Sequence, residues 1–159
     1  MTEMPIPSMS EFRNYLQFAA EDVFMTTFGE RPVFVPPEMS VGGLSAIIGL
    51  NGNVSGFFAP HIMPKDACVI AGNMLGDSFA EVDDIVCDAI GEIANMLGGS
   101  LKKFSSRNGE LFRISIPTIV HGNNYQTYTP KGTEQLLMGV RVLSTQITMQ
   151  LVIKNASMK

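Results

Sequence analysis

FAEVDDIVCDAIGEIANMLGG, residues 79–99, is the stretch from which the fold of this chain can be read. Val82, Ile85, Val86, Ala89, Ile90, Ile93, Met96 and Leu97 recur at steps of three and four, the period that gives a helix one apolar stripe. Strand-like alternation is missing. The spacing predicts a long helix over 79–97, held to a core by that stripe and ended by Gly98-Gly99.

Beyond the glycines the pattern becomes that of strands: 100–104, then 111–120 after the turn Arg107-Asn108-Gly109, then 135–143 and 145–154. Upstream, 44–59 places Asn51-Gly52 between two apolar runs, a hairpin signal because both residues tolerate positive φ. A first helix is expected over 12–28, capped by Ser10 and stopped by Gly29. Pro32, Pro36 and Pro37 then exclude helix, and Val33-Phe34-Val35 fits a short strand. Pro64 opens a shorter helix over 67–75, closed by Gly76. Long helix, glycine, short strand and hairpin thus occur over 10–60 and again over 80–154. The expected fold is α+β: a single domain over 1–159 with a largely antiparallel sheet, two long helices on one face, and two duplicated helix-strand-hairpin units.

With 45% hydrophobic and 16% charged residues among 159, the composition suits a packed core rather than disorder. Eleven Lys and Arg are scattered along a chain of net charge −4, so the basic footprint of a nucleic-acid binder is missing. No stretch approaches the roughly 18 apolar residues of a membrane span, and the first residues lack a secretion signal's pattern. A cytoplasmic protein acting on neither nucleic acid nor membrane is expected. Cys68 and Cys87 read as small buried hydrophobes rather than a disulfide. His61 and His121 have no neighbours at metal-ligand spacing, so no intrinsic metal is expected. GLNGNVSG, 49–56, lacks the Lys-Ser/Thr ending of a phosphate loop and belongs to the hairpin.

One flank of the long helix is unlike the rest. At about 100° per residue, Asp88, Glu92 and Asn95 fall within an arc of roughly 60°, away from the apolar stripe. Asn95 is the odd member, because asparagine is a poor helix former that favours caps and turns.

The arrangement Asp-x-x-x-Glu-x-x-Asn-x-x-x-Gly over 88–99 resembles the signature of the CheC, CheX and FliY family of chemotaxis phosphatases, and is most similar to CheX-like members. Pro117 matches the family's proline in a later strand. Glu11-x-x-Asn14 repeats the Glu-x-x-Asn spacing but sits at the start of helix one. Aligning Phe28-Gly29 with Leu97-Gly98 sets Val23 and Thr26 opposite Glu92 and Asn95, so a single active face is expected. The resemblance implies an enzyme that hydrolyses the aspartyl-phosphate of a CheY-like response regulator. In that reading Asn95 orients the attacking water and Glu92 pairs with the regulator's lysine, with Asp88, Gly91 and Gly99 as partner-binding residues. The divalent cation, Mg, comes from the regulator, and no intrinsic cofactor is implied. A homodimer joined at sheet edges is also implied, with 135–143 and 145–154 as strands that would need covering if they lie at an edge. The alternative is a non-catalytic module that docks on a receiver domain or a flagellar switch protein. A small-molecule enzyme has no ligand motif in its favour.

Overall fold

Ser8 starts the first helix, α1 (Met9–Phe28), through a capping box: its side chain accepts the Glu11 N–H and the Glu11 carboxylate accepts the Ser8 N–H, both at 3.1 Å. The cap is therefore Ser8 rather than Ser10, and Gly29 ends the helix in a left-handed conformation. The computed structural model describes residues 5–39, 42–107 and 109–155. After α1 come β1 (Val33–Val35), β2 (Gly43–Gly52), β3 (Val54–Ile62), α2 (Pro64–Leu75), α3 (Asp84–Ser105), β4 (Phe112–Ile114), β5 (Thr118–Gly122), β6 (Glu134–Val142) and β7 (Thr145–Asn155).

The long second helix differs at both ends from the expected 79–97. Asp83 caps it by accepting the Val86 N–H at 2.9 Å, which leaves 79–83 as lead-in. It then continues through Gly98-Gly99 to Ser105, so 100–104 is helix and not strand. Gly98 serves packing: a Cβ there would lie 3.2 Å from the Ile48 Cδ1, so the missing side chain lets β2 approach. Leu101, fully buried, extends the apolar stripe past the glycines.

The seven strands form one sheet in the order β1-β6-β7-β3-β2-β4, with β5 also on β2, and every pairing is antiparallel. This order is a palindrome. Exchanging β1 with β4, β2 with β6 and β3 with β7 reproduces it reversed, as a duplication of helix-strand-hairpin units requires. The two units meet at the β3/β7 seam, and each short strand pairs with the other unit's hairpin. Leu44, Ala46, Ile48, Leu50, Phe58, Met149 and Leu151 bury one face of the sheet beneath the helices. α1 and α3 pack on each other through Phe18 and Phe104, and Ser100 and Lys103 both donate to Asp22.

Three strand expectations change. Asn51-Gly52 does not form a two-residue turn: among the described residues only Leu143 and Ser144 are non-glycines at positive φ, and they turn the β6/β7 hairpin. The tip of the first hairpin is instead drawn toward β4, where the Asn53 N–H reaches the Leu111 carbonyl. The terminal strands are not exposed edges either. β7 lies inside the sheet, and β1 covers β6 over Gly139–Arg141, which leaves the stretch of β6 before Gly139 with an outer side on which no described strand is paired. Finally, 111–120 is interrupted. Leu50 pairs with Ile114 and Ile47 with Thr118, so three residues, 115–117, stand opposite two. That is a β-bulge in the edge strand.

Candidate functional site on the flank of α3

The stripe of Val86, Ile90, Ile93, Leu97 and Leu101 is fully buried and fixes the rotation of α3 about its axis. That rotation leaves Asp88, Glu92 and Asn95 all exposed on one flank. None of the three makes a side-chain hydrogen bond or ion pair with another described residue, so their polar groups are free to meet something outside the chain. Ile85, 54% exposed, continues the same flank one turn earlier. Gly99 extends it one turn beyond Asn95, and a Cβ there would meet nothing within 4 Å.

Gly91 is different. It is buried, and a Cβ on it would lie 3.6 Å from the Pro117 Cγ and 3.5 Å from the Ile119 Cδ1. Its place inside the chain is against the edge strand, whose Pro117 and Ile119 it lets approach α3. Pro117 is thereby brought beside the residue preceding Glu92, a juxtaposition that its distance in sequence did not reveal.

Glu11 and Asn14 take no part in such a face, because Glu11 is occupied in the capping box of α1. With the helix ends now at Gly29 and Ser106, Tyr15 and Phe18 rather than Val23 and Thr26 stand opposite Glu92 and Asn95. The first unit lacks the polar pair in either alignment.

Asp88, Glu92 and Asn95 stand on the open surface of the helix. An open groove of about 820 Å³ runs between α2 and the 77–82 segment, edged by Lys65, Val69, Asn73, Val82 and His121, but neither Glu92 nor Asn95 lines it. Both cysteines are free thiols, Cys68 buried and Cys87 partly so; burial, with nearby carboxylates, pushes both pKa values up and makes them poor nucleophiles. Among the described residues no cluster of three or more His, Cys, Asp or Glu could hold a metal, and no helix is long and apolar enough to cross a membrane.

Sequence reasoning missed one polar network on the far face of the sheet. His61 Nδ1 meets the Ser45 hydroxyl at 2.6 Å, which also meets the Tyr125 hydroxyl at 2.7 Å. His61 Nε2 lies 2.8 Å from the Gln150 Oε1, and the Gln150 amide donates to Gln135. The hydroxyl-rich segment after β5 is thus tied to four strands. Alternation in β2, β3 and β7 could have put Ser45, His61 and Gln150 on one face, but only their strand order brings them together.

The model of the family described as chemotaxis phosphatase CheX matches residues 44–141, which include the exposed flank of α3 and Pro117. The chain belongs to the CheX family. The CheY-P phosphatase CheX of Thermotoga maritima is 28% identical over 82 residues, covering 51% of this chain and 53% of that protein. The chain therefore spans about half the length of this relative in the match. Among solved structures, chemotaxis protein CheX from Vibrio vulnificus aligns with a TM-score of 0.81 at 23% identity, over 93% of this chain and 99% of that one. A CheX complex from Borrelia burgdorferi, with CheY, beryllium trifluoride and magnesium, aligns with a TM-score of 0.78 at 22% identity, over 95% and 100%. These likenesses establish the CheX-type α+β fold.

Proposed function

We propose that this chain is a phosphatase for the aspartyl-phosphate of a CheY-like response regulator, and that it works by inserting the exposed flank of α3 into the regulator's phosphorylation site. The observation that carries the reading is the exposure of Glu92 and Asn95, side by side and without partners among the described residues, on a helix whose other side is locked in the core. Membership of the CheX family and the CheY partner in the Borrelia complex support the choice of substrate.

The Asn95 carboxamide can accept a hydrogen bond from water and donate one to a phosphoryl oxygen, which holds the water in line for attack. No proton needs to pass to the side chain, as in phosphoryl transfers where positioning and electrostatics supply most of the catalysis. Glu92 sits about one turn earlier and is suited to pair with a lysine of the regulator, registering the helix against the site. Asp88 and Gly99 extend the contact on either side. The regulator brings its own divalent cation, Mg, and this chain supplies no metal. A homodimer belongs to the same reading, with the uncovered start of β6 as one edge available to a second copy.

Decay of a phosphorylated CheY-type receiver domain, with and without the protein, tests the function. The native chain accelerates decay, and Asn95→Ala lowers the acceleration by at least about 10²-fold while still binding the receiver. Near-native acceleration by Asn95→Ala would sink the assignment, and binding without turnover by the native chain would make it the non-catalytic docking module. Glu92→Ala acts on affinity instead: loss of a buried ion-pair partner costs about 2 to 5 kcal/mol at an interface, read as a raised KM. Sedimentation gives the oligomeric state.

A further inference from the structure

An isolated exposed isoleucine is ordinary on a protein surface, but Ile116 is presented in a way that sets it apart. It is 85% exposed and stands in the edge-strand bulge formed by residues 115–117. The bulge is rigid. The Ser115 N–H donates to the Gly49 carbonyl at 2.9 Å, the Gly49 N–H donates to the Ser115 Oγ at 2.8 Å, and the Ser115 hydroxyl donates to the Ile116 carbonyl at 2.9 Å. Pro117 has its own φ locked by its ring and restricts Ile116 to extended backbone.

The extra residue also decides which way Ile116 faces. Phe112 and Ile114 turn toward the helices, and alternation carried forward from them puts Ile116 on that side. Pro117 and Ile119, which contact α3 at Gly91, show that the strand faces the same side again just after the bulge. Ile114 comes near α3 at Gly98, within 3.9 Å of where a Cβ would be, and Pro117 near Gly91, so the backbone at Ile116 passes the helix between those two levels. Asn95 lies between them in sequence, only about 40° around the helix from Gly91. Bulges next to functional sites characteristically re-aim a side chain in this manner.

We propose that Ile116 is an apolar anchor of the docking surface, seating an apolar patch of the receiver domain beside the phosphorylation site while Glu92 and Asn95 enter it. The inference rests on the receiver-domain reading above. A second copy of this chain is the poorer occupant, because Pro117 has no N–H to offer an incoming strand and the bulge breaks the edge at that point.

The test uses the receiver domain whose decay the native chain accelerates most. Ile116→Asp should raise KM by about tenfold or more, with kcat within about twofold, and should weaken in parallel the Kd for the same receiver loaded with beryllium trifluoride and magnesium. Ile116→Leu should restore both. The side chain is exposed, so the melting temperature should not change. An unaltered KM, a fall confined to kcat, or a loss of dimer mass in sedimentation would each overturn the proposal. If the native chain binds the loaded receiver but does not hydrolyse its phosphate, the phosphatase reading fails while the Kd comparison still decides the role of Ile116.

Discussion

Asn95 in the middle of a helix is a local cost with no local return. Asparagine is about 0.5 to 0.7 kcal/mol worse than alanine in a helix interior, and its side chain here makes no hydrogen bond with another described residue. Asn95→Ala should therefore leave the protein slightly more stable while abolishing most of its phosphatase action, two opposite readings from one variant. Chemical denaturation and the receiver-decay assay together check this; a destabilised Asn95→Ala would mean that the side chain does structural work. The position of this residue was legible in the sequence because helical phase is set by the apolar stripe, and that stripe is strong. Ile116 was not legible. Its exposure depends on one additional residue in the edge strand, and a bulge leaves no periodicity of its own in a run such as FRISIPTIV, 112–120.

For α3 as an element, the two consecutive glycines have separate tasks. In the sequence they look like a terminator, since glycine is common just past a helix end. The helix passes through them because Leu101 and Ser105 still have buried places to fill, and the Ser105 hydroxyl bonds back to the Leu101 carbonyl at 2.7 Å. Gly98 makes room for Ile48, whereas Gly99 makes room for nothing within the chain. Gly99→Ala should consequently stabilise the fold by about 0.8 to 1.0 kcal/mol, the ordinary helix-interior difference. In the proposed complex the added methyl group stands one turn beyond Asn95 on the partner-facing flank, so the same variant should slow receiver dephosphorylation. A Gly99→Ala chain that is more stable and fully active would remove this residue from the contact surface. The β6/β7 hairpin illustrates a second limit of local reading: Leu143-Ser144 takes the two positive φ values that Asn51-Gly52 appeared designed for. Strand pairing on both sides decides that outcome, against turn preference.

At the scale of the molecule, the buried polar network makes stability depend on pH. Burial lowers the His61 pKa from its usual 6.5, opposed by the hydrogen bond to Gln150. Folded protein then binds fewer protons than unfolded chain between the lowered value and 6.5, so stability is complete above about pH 6.5 and declines as pH falls below it. Urea midpoints should drop from about pH 7.5 to about pH 5.5, and His61→Gln should drop less; equal declines in the two proteins would rule out His61 as the source. The order of helices and hairpins, and the duplication, could be read from the sequence, since each depends on local periodicity. The strand order could not, because it is set by which apolar faces meet across the sheet. That order has a kinetic consequence. The seam joins Phe58 to Leu151, and each half's short strand waits for the other half's hairpin. Neither half can complete its own sheet in isolation, so folding must close contacts between distant parts of the chain before they are rewarded, and slower folding than that of a chain with local pairings is expected.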